Sequence, residues 1–320
     1  MAQPKMGLIK NLLTETHYLD NYWTRNNEGT PLRPYDLATH TMAEFMGVRV
    51  DELSSDPDGK FSLLKKHDPV KGIVKKGPAG YWFSCKENAA FKAVNLLLNE
   101  KITVQRCHTG SGILSSGDFI IEKVTDDLVR KVADETGVNF YELQKIDKDN
   151  VYGLKPSRIG LFQRYYGGNM DEGWTRLCFE NFNFDYNTLR SEEIKAGNLI
   201  DKYDVIVIPD DSKEHITGDY TNSRTDPEEY PEKYRSGIGK EGTEALKEFV
   251  RQGGALTVFG NSYEFAVEAF DLKIRNVTKG LNSTDHFCPG STLKAKFDNS
   301  HPLAWGMPEE GLLLNIYSPV

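Results

Sequence analysis

Tyr203-Asp-Val-Ile-Val-Ile-Pro-Asp-Asp211 is the stretch that decides the fold. Its apolar run lacks the polar alternation of a half-solvated strand, so it suits a central parallel strand buried on both faces. Asp210 and Asp211 then stand at the carboxyl end of that strand.

Strands and helices alternate on either side of it. Arg158-Ile-Gly-Leu-Phe-Gln163 reads as a second buried strand, followed by the loop Arg164-Tyr-Tyr-Gly-Gly168. Asn169 caps the next helix, Glu172 completes a capping-box-like pair, and Met170, Trp174, Leu177 and Cys178 form its expected inner face. Tyr186–Leu189 is a short strand. An acidic, Pro-bearing insertion runs from Ser212 to Gly239, then a helix over Glu241–Arg251 closes at Gly253-Gly254. Ala255–Phe259 is the next strand and leads through Gly260-Asn261-Ser262 into another helix. Pro-Gly turns and strand-like runs fill the remainder.

The region before residue 151 divides in two. Residues 1–60 hold one amphipathic stretch (Met6, Ile9, Leu12, Leu13), an aromatic and Asn-rich passage, a helix over Asp36–Met46 and a polar loop, so they read as a connector or extended arm. Residues 61–150 alternate: strands over Tyr81–Cys85, Ile102–Cys107, Asp118–Lys123 and Phe140–Gln144, with helices between them. One helix carries Phe91, Val94, Leu97 and Leu98 on a face; the other is capped by Thr125, has Asp126 and Asp127 in its first turn, and ends at Gly137. The alternation predicts a small α/β region. Residues 151–320 form the main α/β domain of this reading.

Composition narrows the function. In 320 residues there are 39 Lys plus Arg against 47 Asp plus Glu, a net charge of −8. An acidic balance disfavours a nucleic-acid partner, and no apolar run is long enough to span a membrane. The first twenty residues show no export signal. The four cysteines, Cys85, Cys107, Cys178 and Cys288, form no Cys-x-x-Cys pair and read as buried free thiols. The closest two of the seven histidines, His286 and His301, are 15 positions apart, so no metal site and no cofactor is expected.

Two candidate chemistries remain. The strand–turn–helix at residues 255–270 has the local shape of a nucleophile elbow, with Ser262 as nucleophile, His286 as base, and Asn261 at a turn that tolerates left-handed backbone. The polar loops at three strand ends, Arg164 to Asn169, Asp210-Asp211 and Asn261-Ser262, define a ligand pocket for a small polar molecule or peptide. Gly167, Gly168 and Gly173 do not make Gly-x-Gly-x-x-Gly, which excludes a dinucleotide fingerprint. The aromatic fraction of 11%, including Tyr81, Trp82, Tyr165, Tyr166 and Trp174, is assigned to packing.

Arg33-Pro-Tyr-Asp36, Met46-Gly-Val48, Ser157-Arg-Ile-Gly-Leu161, Gly168-Asn-Met-Asp-Glu-Gly-Trp-Thr175, Ile194-Lys-Ala-Gly-Asn198, Phe249-Val-Arg-Gln-Gly-Gly-Ala255, Ile274-Arg-Asn-Val277, Pro289-Gly-Ser291 and His301-Pro-Leu-Ala-Trp-Gly-Met-Pro308 form a series across the chain. Together they resemble the region downstream of the catalytic domain in large bacterial zinc carboxypeptidases of the carboxypeptidase A-like class. The resemblance implies an open parallel sheet of the flavodoxin-like, class I glutamine amidotransferase-like kind, preceded by a smaller α/β region and an extended arm. It also implies that the zinc ligands, a His-x-x-Glu pair and a later His, and the catalytic Glu lie in a peptidase domain upstream. This chain has no counterpart of that domain, and the elbow lacks the amidotransferase cysteine. The expected role is therefore non-catalytic: packing against the chain's own peptidase domain and shaping substrate access, in relatives that are exported. The rival expectations are a stand-alone binding module and a diverged amidohydrolase using Ser262.

Overall fold

The computed structural model describes residues 4–14, 20–30, 32, 43, 46–55, 57–66, 68–165, 168–219, 231, 234–235, 237–282, 285–286 and 289–316. The helix expected over Asp36–Met46 and the thiol of Cys288 lie outside them. The chain divides into two compact units: one takes Met1–Asp68, Asn276–Asn299 and Pro308–Val320, the other Pro69–Arg275 and Ser300–Met307.

In the first unit, α1 (Met6–Leu13) and a hairpin of β10 (Pro289–Lys296) and β11 (Glu310–Ile316) are the main described elements. None of the described residues among 4–68 is buried. Of the α1 stripe, Met6 and Leu13 are exposed while Ile9 and Leu12 are half-buried.

The second unit holds two sheets. The first is built from β1 (Gly80–Phe83), α2 (Asn88–Asn99), β2 (Val104–Cys107), β3 (Phe119–Ile121), α3 (Asp126–Thr136), β4 (Tyr141–Leu143) and β5 (Val151–Gly153). Its spatial order is β4-β1-β3-β2-β5 and every pairing is antiparallel. The alternation of elements therefore does not make a parallel layer here. The Gly-Ser turn after β2 sends β3 straight back, and β3 inserts between β1 and β2, splitting the β-α-β unit. Helices α2 and α3 bury Ala90, Ala93, Val94, Leu97, Val129, Val132 and Ala133 against Tyr81, Phe83, Phe119 and Phe140. The α3 caps follow the sequence: the Thr125 hydroxyl accepts the Leu128 N–H, and Gly137 takes φ +74° to close the last turn onto Ala133. Trp305, returned from residues 300–307, is also buried here; the Arg106 guanidinium lies 5.0 Å from its ring centre, and His108 meets it edge-on at 5.8 Å.

The second sheet is parallel: β6 (Ile159–Phe162), β7 (Tyr186–Leu189), β8 (Val205–Ile208) and β9 (Ala255–Val258), in the order β7-β6-β8-β9. The central run of β8 alternates between two cores. Ile206 and Ile208 pack with Ile194 of α5 (Ser191–Ala196), Leu246 and Phe249 of α7 (Gly239–Arg251), and Phe265 of α8 (Tyr263–Ala269). Val207 packs with Ile159, Leu161, Phe179, Phe184 and Tyr186 on the opposite face. The second unit is thus mixed α/β, with one antiparallel and one parallel sheet, and the β10–β11 hairpin of the first unit is a further antiparallel pair among the described residues.

Helix α4 (Met170–Asn181) is turned relative to its expected orientation. Met170 is 82% exposed, Trp174 67%, and Leu177 and Cys178 are exposed too. The buried residue is Glu172, whose carboxylate accepts Gln163 Nε2 at 3.1 Å and pairs with Arg176. Arg176 in turn lies over the Tyr186 ring at 5.1 Å. A paired, hydrogen-bonded charge takes the inward face and displaces the apolar stripe outward. Glu172 consequently makes no capping box; Asn169 alone caps the helix.

Candidate functional site

The chain leaves β6 through α4 to reach β7 on one side, then crosses to β8 on the other. The order therefore reverses between β6 and β8, and in open parallel sheets the crevice beyond such a pair of carboxyl ends is the ligand position. Arg164 follows β6; Asp210 and Asp211 follow β8.

Asp211 is the hub. Its Oδ2 accepts Arg164 Nε at 2.6 Å and Asn169 Nδ2 at 3.2 Å, and its Oδ1 accepts the Ser212 N–H at 2.8 Å and faces His215 Nδ1 at 3.1 Å. The Arg164 and Asp211 side chains are only 10% and 5% exposed. A buried ion pair persists where further hydrogen bonds satisfy the remaining lone pairs, as they do at this carboxylate. Asn169 works with both ends of its amide. The oxygen accepts the Asp171 and Glu172 N–H groups, capping α4, while the nitrogen donates to Asp210 O at 3.1 Å and to Asp211.

Asp210 faces the other neighbour. Its Oδ1 accepts the Asn261 N–H at 2.9 Å and Asn261 Nδ2 at 3.2 Å. The left-handed residue in this turn is Gly260, at φ +48°, and not Asn261. A Cβ at Gly260 would overlap the Asp210 carboxylate, so the position needs glycine on two counts. Ser262 is fully buried: its hydroxyl donates to Pro209 O at 2.6 Å and accepts the Asp211 N–H at 2.9 Å. It ties the elbow of β9 to the end of β8, with its proton and a lone pair engaged. His286 belongs to the other compact unit, and none of the Ser262 hydrogen bonds involves it.

Arg164, Asn169, Asp210, Asp211, Asn261 and Ser262 thus form one connected network. Two members escape the sequence reading. Ser212 caps the short helix α6 (Lys213–Thr217), accepting the His215 N–H at 3.2 Å, and His215 contacts Asp211 one turn back. The i,i+4 spacing of Asp211 and His215 was the available signal; the acidic composition of residues 212–239 hid the helix. Arg190 supports the same edge, its guanidinium 3.9 Å from the Tyr165 ring centre and donating to Gln163 O at 3.3 Å.

The cluster can orient a hydrogen-bonding ligand. One hydroxyl meets an imidazole in it: Ser212 Oγ lies 3.1 Å from His215 Nδ1, the same ring nitrogen that faces Asp211 Oδ1, so the three do not form a relay through both ring nitrogens. Among the described residues no group of three or more His, Cys, Asp or Glu is placed to hold a metal ion, and no helix is long and apolar enough to cross a membrane. Beside the cluster a groove of ≈ 310 Å³ runs between α4 and the ends of β8 and β9.

Comparison with protein-family models, with curated proteins and with solved structures finds no match to this chain.

Proposed function

We propose that the chain is a non-catalytic binding module, accessory to peptide hydrolysis in a zinc carboxypeptidase-like protein, and that its parallel layer is flavodoxin-like. The order β7-β6-β8-β9 supports the fold reading, because it reproduces the first four positions of the flavodoxin order 2-1-3-4-5. The observation that carries the function is the convergence of Arg164, Asn169 and Asp211 at the switch point. An amidohydrolase using Ser262 has the weaker support, since that hydroxyl is buried and doubly bonded.

Thermal melting of the full chain against small polar molecules and short peptides tests the proposal. A ligand binding only the folded state, present at 100 times its Kd, adds about 2.7 kcal/mol. A saturable upward shift in Tm, lost in Asp210→Asn, is expected. Release of C-terminal residues from peptides by the chain with stoichiometric zinc would overturn it, as would flat melting curves across the panel.

A further inference from the structure

We infer that the outer face of α4 is the two-fold interface of a dimer, closed by α4 of a second copy of this chain. Met170, Gly173, Trp174 and Leu177 stand at i, i+3, i+4 and i+7, the four positions that surround one hole on a helix surface. All four are exposed and none is charged. Phe259 continues the apolar surface, exposed beside Trp174 and Cys178 in the groove between α4 and the strand ends. A contiguous exposed apolar patch marks an interaction site.

The single copy does not call for Gly173. The residue lies inside a helix, its φ is outside the left-handed region, and a Cβ there meets no atom within 4 Å. Glycine weakens a helix interior, yet here it stands beside Trp174, the largest side chain of the face. A two-fold axis through the middle of the four residues accounts for both. It sets two copies of α4 antiparallel, brings Trp174 of each over Gly173 of the other, and lays Met170 over Leu177, so large meets small at the centre. The same rotation carries Asp171 of each copy to the flank that bears Arg176 of the other, which makes the rim complementary in charge. The face therefore fits itself, the condition for a closed isologous pair. At about 200 Å² for a whole large side chain, Met170, Trp174, Leu177 and Phe259 expose about 500 Å² in one copy. Two copies remove about 1,000 Å² from water, the size at which specific interfaces begin.

Sedimentation equilibrium of the full chain, at concentrations up to about 1 mM, is the test. The mass is expected to rise with concentration from one chain to two. Gly173→Gln puts a side chain into the centre of the interface but into open space in the single copy, and exchanges a poor helix former for a good one. It should weaken the dimer at least about tenfold. Its urea midpoint, read at the lowest concentration, should be unchanged or higher. Trp174→Gln, which removes an exposed ring, should weaken the dimer as much. If Gly173→Gln lowers the urea midpoint, Trp174→Gln decides alone. A single-chain mass throughout the concentration range overturns the inference, whatever unlike molecule binds the face. A dimer that a folded Gly173→Gln leaves intact overturns it as well, because the two helices then do not meet at the glycine.

Discussion

Ser262→Ala separates a structural bridge from a nucleophile. The substitution removes one oxygen from a fully buried position and leaves two backbone groups without their partner: Pro209 C=O, which accepts at 2.6 Å, and Asp211 N–H, which donates at 2.9 Å. A neutral hydrogen bond contributes about 1 kcal/mol net, and a buried group left unsatisfied costs about 1–3 kcal/mol, so about 2–3 kcal/mol of destabilisation is expected. For a folded body of this size that lowers Tm by about 5–10 °C. Urea denaturation is the assay, with a lower midpoint and an unchanged m-value expected, since the surface exposed on unfolding is the same. Because Asp211 also holds Arg164, Ser262→Ala and Arg164→Met share a partner, and their effects should depart from additivity. A neutral effect on the urea midpoint would refute the bridge. Loss of an amidase activity at undiminished stability would do so more sharply, by returning Ser262 to the reaction.

Arg164→Met leaves the Asp211 carboxylate buried without its guanidinium and should cost about 3–5 kcal/mol, measured by the same denaturation. Gly260→Ala places a Cβ into the Asp210 carboxylate at a left-handed φ of +48°; a loss of at least about 1 kcal/mol is expected, together with weaker ligand-induced melting shifts. Burial, and then the neighbouring Glu193, push the Tyr203 phenol up to about 12. Folding therefore favours the neutral phenol: this stability is whole below pH 10, the ordinary tyrosine value, and is lost as pH rises toward 12. The urea midpoint should fall across that window, and less steeply in Tyr203→Phe.

The parallel layer is the part of the fold most legible in sequence, because a strand buried on both faces must be apolar at every position, as Val205–Ile208 is. Short-range signals were equally readable: the caps made by Thr125, Gly137 and the Asn169 oxygen act on groups within a few residues. Strand direction in residues 80–153 was not readable, since the alternation of elements is the same whether β3 returns beside β2 or crosses over. The orientation of α4 was misread for a different reason. Periodicity assigns apolar residues to the interior, whereas Glu172, Arg176, Gln163 and Tyr186 satisfy one another inside and release Trp174 to the surface. The candidate residues Arg164, Asn169, Asp210, Asp211, Asn261 and Ser262 were chosen for their positions at strand ends, and the structure joins them by hydrogen bonds. The pairing of Asp211 with Arg164 and His215 depended on which strands are neighbours.

Trp305 gives the antiparallel sheet a history as well as a cover. The last strand of that sheet ends at Gly153, so on the ribosome about 150 residues separate its completion from the arrival of the indole that lies over Arg106, an interval of about 8–30 s at ordinary elongation rates. Gly306 follows directly and sits so close to Cys85 that a Cβ would overlap its carbonyl. During those seconds the Arg106 plane and the Cys85 edge are open to chaperones and oxidants that the finished protein excludes. A nascent chain halted before residue 300 should keep that window open for as long as it is held.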